Sequence, residues 1–378
     1  MKRASIVIKN VLFSIFVCAF FFGMLEAALR IIKPGFVYRA KAANLFYRLN
    51  YAKPPRQFQA EKYINAILNT KEIPHIKNLS ANWSQYREPV NSRGFRGPEF
   101  SEDKDDKFRI ICLGDSITWD GWYLDAMKEE LRARSGMGNV EVLNFGLPGR
   151  PSLAGLNLFQ NEALPLEPDV VTIEYAINDD YLRQMEIRMK QPQPPRALRR
   201  LLKGLEQSDL CIATRVLVNM LRDRIFEPLH PPDCKENSRF SLCAYRDHLE
   251  KMAATARSRN IKMVFIASHC PFYNPRLEKY KRVMKAVGAE QGIPVLDVQK
   301  VMLASPIAEQ QRQLLQAYAD RNFIAYFNKI WKYPELQNKI FDPTSIYYTD
   351  IAHPNRQGHQ LIGKGLAELI AGALKPNQ

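Results

Sequence analysis

Residues 110–122 read IICLGDSITWDGW. The apolar run Ile110–Leu113 closes on Gly114 and is followed at once by Asp115 and Ser116, then by more apolar bulk. A short run with no polar alternation reads as a strand buried on both faces. A serine just past its end has two readings. It caps a helix starting near Thr118 by satisfying orphan backbone N–H groups, or it is a nucleophile held at the rim of a sheet.

Working outward, similar runs recur. The set is 109–114 (RIICLG), 140–146 (VEVLNFG), 170–176 (VVTIEYA), 263–268 (MVFIAS) and 295–298 (VLDV). Between them lie amphipathic stretches such as WYLDAMKEELRARSG, with Leu124, Met127 and Leu131 at helical spacing and Gly136 as a stop. Strand and helix in repeated alternation predict an α/β fold, a parallel doubly wound sheet with right-handed crossovers. The 378 residues have room for one large domain with decoration, and a 46% hydrophobic fraction suffices for a sizeable core. The interval from about 181 to 245 has no strand and carries the basic stretch RMKQPQPPRALRRLLKG. Leaving the sheet after its third strand, it is expected over the C-terminal edge as a lid or substrate surface. Arg196, Arg199, Arg200 and Lys203 there meet lipid phosphate or an anionic glycan, or form a solvated face. A helical, aromatic pattern fills 306–341.

The N-terminus is basic (MKRASIVIKN) and continues as VLFSIFVCAFFFGMLEAALRII, interrupted by Ser14, Glu26 and Arg30. About 20 apolar residues cross a bilayer, and a cleaved signal peptide fits poorly because Leu25 and Glu26 flank the candidate cleavage region. One N-terminal transmembrane helix, a signal anchor over 1–33, is therefore expected. A juxtamembrane stalk over 34–90 and a catalytic domain over 91–378, outside the cytoplasm in the periplasm or beyond, follow. The charge of +15, from 54 basic and 39 acidic residues, suits an anionic surrounding. No zinc-knuckle spacing or RNA-binding aromatic signature is present, so no nucleic-acid partner is expected. Cys234 and Cys243 bracket a polar loop that a disulfide could close. Cys18 lies in the anchor and Cys112 in a strand, and no spacing suggests a structural metal.

In an open α/β sheet, ligands bind at the carboxyl ends of the strands. The first strand ends in Gly114-Asp115-Ser116, the second in Asn144-Phe145-Gly146, and the third runs into Asn178-Asp179. Near the C-terminus, YYTDIAHPNRQG places Asp350 three residues before His353. A serine hydroxyl needs an imidazole to accept its proton, and the imidazole needs an orienting carboxylate. The predicted catalytic residues are Ser116, Asp350 and His353. The predicted oxyanion donors are the N–H groups of Ser116 and Gly146 and the side-chain amide of Asn178, with Gly146 a glycine so that its backbone can approach substrate. Alone, Ser116 would read as a cap, Asn178-Asp179 as a turn and His353 as a surface histidine.

With these blocks in place, GDSI, NFGLPG, AIND and DIAHP, the chain resembles the SGNH (GDSL-type) hydrolases over about residues 91–374. NSRGFRGPEF looks like the lead-in of their membrane-anchored bacterial members. The resemblance implies a flavodoxin-like three-layer sandwich around a five-stranded parallel sheet. It also implies hydrolysis or transfer of small acyl esters with no cofactor or metal. Ala176 stands where the third block usually has glycine, which would narrow the pocket beside Asn178. Trp119 and Trp122 read as core packing or as a platform for a sugar ring. The expected function is a membrane-anchored serine esterase removing or transferring O-acyl groups, most simply acetyl, on a glycan or cell-envelope polymer. The alternatives are a lipase or lysophospholipase acting at the membrane, with a lipid substrate, and a non-catalytic envelope protein that binds glycan or scaffolds.

Overall fold

Burial on both faces is what turns the apolar runs into strands. The computed structural model describes residues 2–32, 68, 88–134, 139–190, 195, 208–214, 218, 238–270, 275–306, 344, 347–349 and 352–374. The strands are β1 (Phe108–Gly114), β2 (Val140–Gly146), β3 (Val170–Glu174), β4 (Lys262–Ala267) and β5 (Val295–Asp297). The helices used below are α1 (Lys2–Ile32), α2 (Ser116–Trp119), α3 (Trp122–Ala133), α4 (Ser152–Leu158), α5 (Ile177–Lys190), α6 (Leu242–Ser258), α7 (Pro275–Gln291), α8 (Val298–Leu303) and α9 (Arg356–Leu374). All strand pairs are parallel, in the order β2-β1-β3-β4-β5. That is the flavodoxin-like order, and it puts a topological switch point between β1 and β3. The expected sheet is therefore present, each strand within a residue or two of its predicted limits.

Successive strand residues point to opposite faces. Ile111 and Leu113 of β1 join Phe145, Ile173 and Phe265 beneath Leu156 of α4, Leu249 of α6 and Met284 of α7. Ile110 and Cys112 point the other way, joining Val264 and Leu296 beneath Tyr123, Met127 and Leu131 of α3 and Ile362, Leu366 and Ile370 of α9. Two apolar faces, each covered by helices, make three layers. Burying each such aliphatic side chain is worth roughly 1.5–3 kcal/mol, so the sheet forms around these residues. Helix α3 buries the predicted Leu124, Met127 and Leu131, and Tyr123 besides. Helix α9 packs on it closely because position 363 is glycine: a Cβ there would lie 2.5 Å from Tyr123 O and 2.6 Å from Ala126 Cβ.

Chain contacts divide the molecule into two compact units. One comprises Lys53–Gln191, His230–Arg312 and Pro343–Gln378 and holds the sheet. Within it the lead-in residues pack on the body: Phe95 stacks on Phe145 with ring centroids 3.9 Å apart. Leu68 touches the small cluster of Leu182, Met185 and Phe240. Cys243 is disulfide-bonded, Cys18, Cys112, Cys211 and Cys270 are free, and Cys234 lies outside the described residues.

The other unit comprises Met1–Ala52, Pro192–Leu229 and Gln313–Asp342. Its α1 is one 31-residue helix, with Phe13, Phe16, Phe20, Phe21 and Phe22 exposed. Side chains within α1 are described at 13–14 and 16–31. Among the described residues no helix is long and apolar enough to cross a membrane, so the expected transmembrane helix is not found there. The charge that interrupts the apolar stretch has a partner. Glu26 accepts hydrogen bonds from Ser208 Oγ (2.8 Å), Asp209 N (3.1 Å) and Leu210 N (2.8 Å), capping the helical turn at 209–214, and from Arg30 Nε (2.8 Å). Residues 191–194, 196–207, 215–217 and 219–237 of the insertion, Arg196, Arg199, Arg200 and Lys203 among them, and the aromatic pattern at 306–341 from residue 307 onward, lie outside the described residues.

Candidate active site

Three strand ends meet side by side. Gly114 of β1 pairs with Gly146 of β2 on one flank and Glu174 of β3 on the other. Past Gly114 the chain turns into α2, and its N-cap is Asp115, whose Oδ1 accepts the N–H of Ile117 at 2.9 Å. Capping therefore falls to the aspartate. The Ser116 hydroxyl is 2.9 Å from Nε2 of His353, 237 residues further along the chain.

A short, well-tied loop holds that imidazole. Thr349 donates to the His353 carbonyl from both N (2.9 Å) and Oγ1 (3.1 Å). Tyr348 and Pro354 form an antiparallel bridge, and Asn355 N donates to Tyr347 O at 2.7 Å. Asn355 Oδ1 then accepts Gly358 N at 3.0 Å in the first turn of α9, the capping arrangement helices favour. Asp350, the expected orienting carboxylate, lies in this loop but outside the described residues.

The predicted oxyanion donors stand differently from one another. Ser116 N–H is at the first turn of α2, where a helix leaves N–H groups unpaired. Asn178, buried in the first turn of α5, donates from Nδ2 to Asp115 Oδ2 at 2.8 Å. Gly146 departs from expectation, because its N–H donates to Asn144 Oδ1 at 2.9 Å. A Cβ at position 146 would lie 2.3 Å from Trp119 N and 2.6 Å from Thr118 C. The glycine thus lets α2 close over the end of β2, and close approach of a substrate is not what requires it.

Ala176 is 3% exposed and belongs to the apolar core beneath the sheet, so its methyl group is taken up by packing. Trp119 is likewise a core residue, with the Arg96 guanidinium 4.6 Å from its ring centroid. Trp122 lies under the Arg356 guanidinium at 5.0 Å.

Sequence reasoning missed the polar layer under these groups. Glu174 is fully buried, bonded to the Ser268 hydroxyl and to Asp115 N at 3.4 Å. Burial, with the neighbouring carboxyl, pushes Asp115 well above the usual carboxylate range, and burial raises Glu174 as well. Beside them Asp179 accepts Ser152 Oγ at 2.6 Å and Ser152 N at 3.0 Å, and Ser152 Oγ also meets His248 Nδ1 at 2.8 Å. Burial lifts Asp179 to about 7 and lowers His248 to about 4. One signal was legible: a glutamate closing the otherwise uncharged strand VVTIE. Among the described residues, no group of three or more His, Cys, Asp or Glu side chains is placed to hold a metal ion.

The GDSL-like Lipase/Acylhydrolase family model matches residues 112–361, more than half of the chain. The chain belongs to this family. Membership implies an ester-hydrolysing enzyme, and the match runs from β1 to α9, the two elements that deliver Ser116 and His353. Among solved structures, this GDSL-like acylhydrolase is similar to the lipase/acylhydrolase from Enterococcus faecalis, at 20% identity and a TM-score of 0.41, covering 71% of this chain and 98% of that one. It is also similar to Axe2, an acetylxylan esterase from Geobacillus stearothermophilus, at 15% identity and a TM-score of 0.41, covering 69% and 93%. No curated protein matches the sequence.

Proposed function

We propose that the chain is a serine esterase working through an acyl-enzyme, with Ser116 as nucleophile and His353 as general base. The observation that carries this reading is the 2.9 Å separation of Ser116 Oγ and His353 Nε2, within the reach required for proton transfer. As Oγ bonds to the ester carbonyl carbon, its proton passes to Nε2 and the carbonyl electron pair moves onto oxygen. Collapse of this tetrahedral species breaks the bond to the alcohol, which takes the proton from the imidazolium. Water then adds to the acyl-enzyme, giving its proton to Nε2, and the second collapse releases the acid as Oγ recovers that proton. Asp350 is the group we assign to the other imidazole nitrogen.

The developing oxyanion is assigned to the N–H of Ser116 and to the second N–H of the Asn178 amide, whose first is committed to Asp115. Gly146 N–H joins them only by sharing its bond to Asn144. Asn178→Ala is expected to lower kcat about 10²–10³-fold with little change in KM, since such a donor acts mainly in the transition state. A loss below about threefold would remove Asn178 from the site.

The decisive test of the whole reading is labelling by a fluorophosphonate probe, which requires an activated serine. Wild type should label, and Ser116→Ala and His353→Ala should not. Equal labelling of all three eliminates the serine mechanism. For the substrate class we assign small O-acyl groups, most simply acetyl, on a glycan or cell-envelope polymer. Mass analysis of envelope polysaccharide separates hydrolysis, seen as released acetate, from transfer, seen as acyl mass gained on a second hydroxyl.

We further assign α1 as a membrane anchor with the catalytic unit outside the cytoplasm. Supporting this are the exposed phenylalanines of α1, the disulfide at Cys243, a bond typical of oxidising compartments, and the net charge of +15. The full chain should stay with membranes through a carbonate wash, and deletion of residues 1–32 should release it. Extraction of the full chain by carbonate alone overturns the anchor.

A further inference from the structure

Asp115 and Glu174 are both about 99% or more buried, at 1% and 0% exposure, and they are direct neighbours, Asp115 N donating to Glu174 Oε2 at 3.4 Å. Two carboxylates in contact inside a protein cannot both remain ionised, because the charge–charge repulsion and the lost hydration add. One proton therefore belongs to the pair as a unit. The donors around each carboxyl decide how its charge is used. Asp115 accepts Ile117 N at Oδ1 (2.9 Å) and Asn178 Nδ2 at Oδ2 (2.8 Å). Glu174 meets the Ser268 hydroxyl, Thr118 Oγ1 at 3.5 Å and Asp115 N at 3.4 Å. Asp115 is thus backed by two N–H donors, and one of those donors is the amide assigned to the oxyanion.

We propose that Glu174 is a positioning residue: it holds a shared proton against Asp115, and the resulting singly charged acid pair fixes the Asn178 amide beside Ser116. The assignment of Asn178 rests on the esterase reading above, whereas the shared proton does not. Without Glu174, the Asp115 carboxyl loses the partner that sets its orientation, and the Asn178 amide swings with it.

The pair is surrounded by titratable groups on every packed element. They are Tyr123 on α3, bonded through Thr118 Oγ1 at 2.9 Å, and Tyr175 next along the chain. Beyond these are Tyr245 on α6, Asp179 on α5 and the imidazole of His353. The three tyrosines are raised by burial and stay neutral near pH 7. Asp179 adds negative charge as pH rises, so it too opposes loss of the shared proton.

Two measurements on the full chain in detergent test the proposal. The first is urea unfolding of wild type and Glu174→Gln at pH 5 and pH 8. A carboxyl that keeps its proton when folded and loses it when unfolded makes the folded state bind more protons, so stability falls as pH rises above the unfolded value near 4. The unfolding constant of wild type should therefore grow relative to Glu174→Gln by up to about tenfold per pH unit. A ratio that does not change between the two pH values overturns the shared proton, whether or not the protein has esterase activity. The second is turnover of p-nitrophenyl acetate. Glu174→Ala should lower kcat about 10–100-fold at unchanged KM, and Glu174→Gln, which keeps the shape and a hydrogen bond to Asp115, should recover most of it. Equal kcat for Glu174→Ala and wild type, or a loss that appears only in KM, overturns the positioning role.

Discussion

A Ser116→Ala variant is expected to lose on the order of 10⁵ in kcat towards p-nitrophenyl acetate, and His353→Ala to lose about as much. The double variant should lose no more than either single one. The hydroxyl and the imidazole, 2.9 Å apart, act as one unit: without the base the hydroxyl stays a poor nucleophile, and without the hydroxyl the base has no proton to take. What survives comes from binding and from the oxyanion donors on Ser116 and Asn178. Steady-state kinetics of the four proteins check this. Losses that multiply in the double variant would mean that the two residues serve separate steps, and more than a tenth of wild-type kcat in Ser116→Ala would place the nucleophile elsewhere.

The largest effect on stability is expected at Arg109, at the opposite end of β1. Its side chain is wholly buried, yet every arm is bonded. Nε donates to Glu141 Oε2 at 2.5 Å, Nη1 to the carbonyls of Glu102 (3.0 Å) and Leu166 (2.8 Å), and Nη2 to those of Ser101 (3.1 Å) and Asp103 (3.0 Å). One guanidinium thus ties β1 to β2, to the segment before β1 and to the turn before β3. Arg109→Ala leaves four carbonyls without their donor and Glu141 with only Lys107 at 3.3 Å, and it opens a cavity; removing one member of such a buried arrangement costs about 3–5 kcal/mol. The urea midpoint should fall accordingly at an unchanged m-value. A cost below about 1 kcal/mol would show that water replaces these bonds freely.

The two expectations differ in how visible they were in the chain. Ser116, Asn178 and His353 could be proposed because each follows a strand or opens a helix in an α/β pattern, where topology brings loop residues to one edge. Arg109 could not, since its value depends on five acceptors drawn from residues 101–103, 141 and 166. Glu174 was hidden for a related reason. A charged residue ending a buried strand marks an anomaly, but its partners Asp115 and Ser268 are 59 and 94 residues away. The bond that the Gly146 N–H already makes was hidden on a local point: backbone N–H groups at strand ends are taken by whichever acceptor is nearest, and Asn144 lies two residues before it.

Periodicity and composition by themselves determined the five parallel strands, the helices between them and the residue types available at the sheet's C-terminal edge. Those features follow from local rules, the alternation of side chains along a strand and the 3.6-residue repeat of a helix, which a chain displays without folding. Only the tertiary structure decided that Asp115 and not Ser116 caps α2, that Gly146 is required by the closure of α2, and that two buried carboxyls stand behind Asn178. Each of these is settled by which donor lies nearest which acceptor to within a few tenths of an ångström, and hydrogen bonds and burial costs are sensitive to distance on that scale.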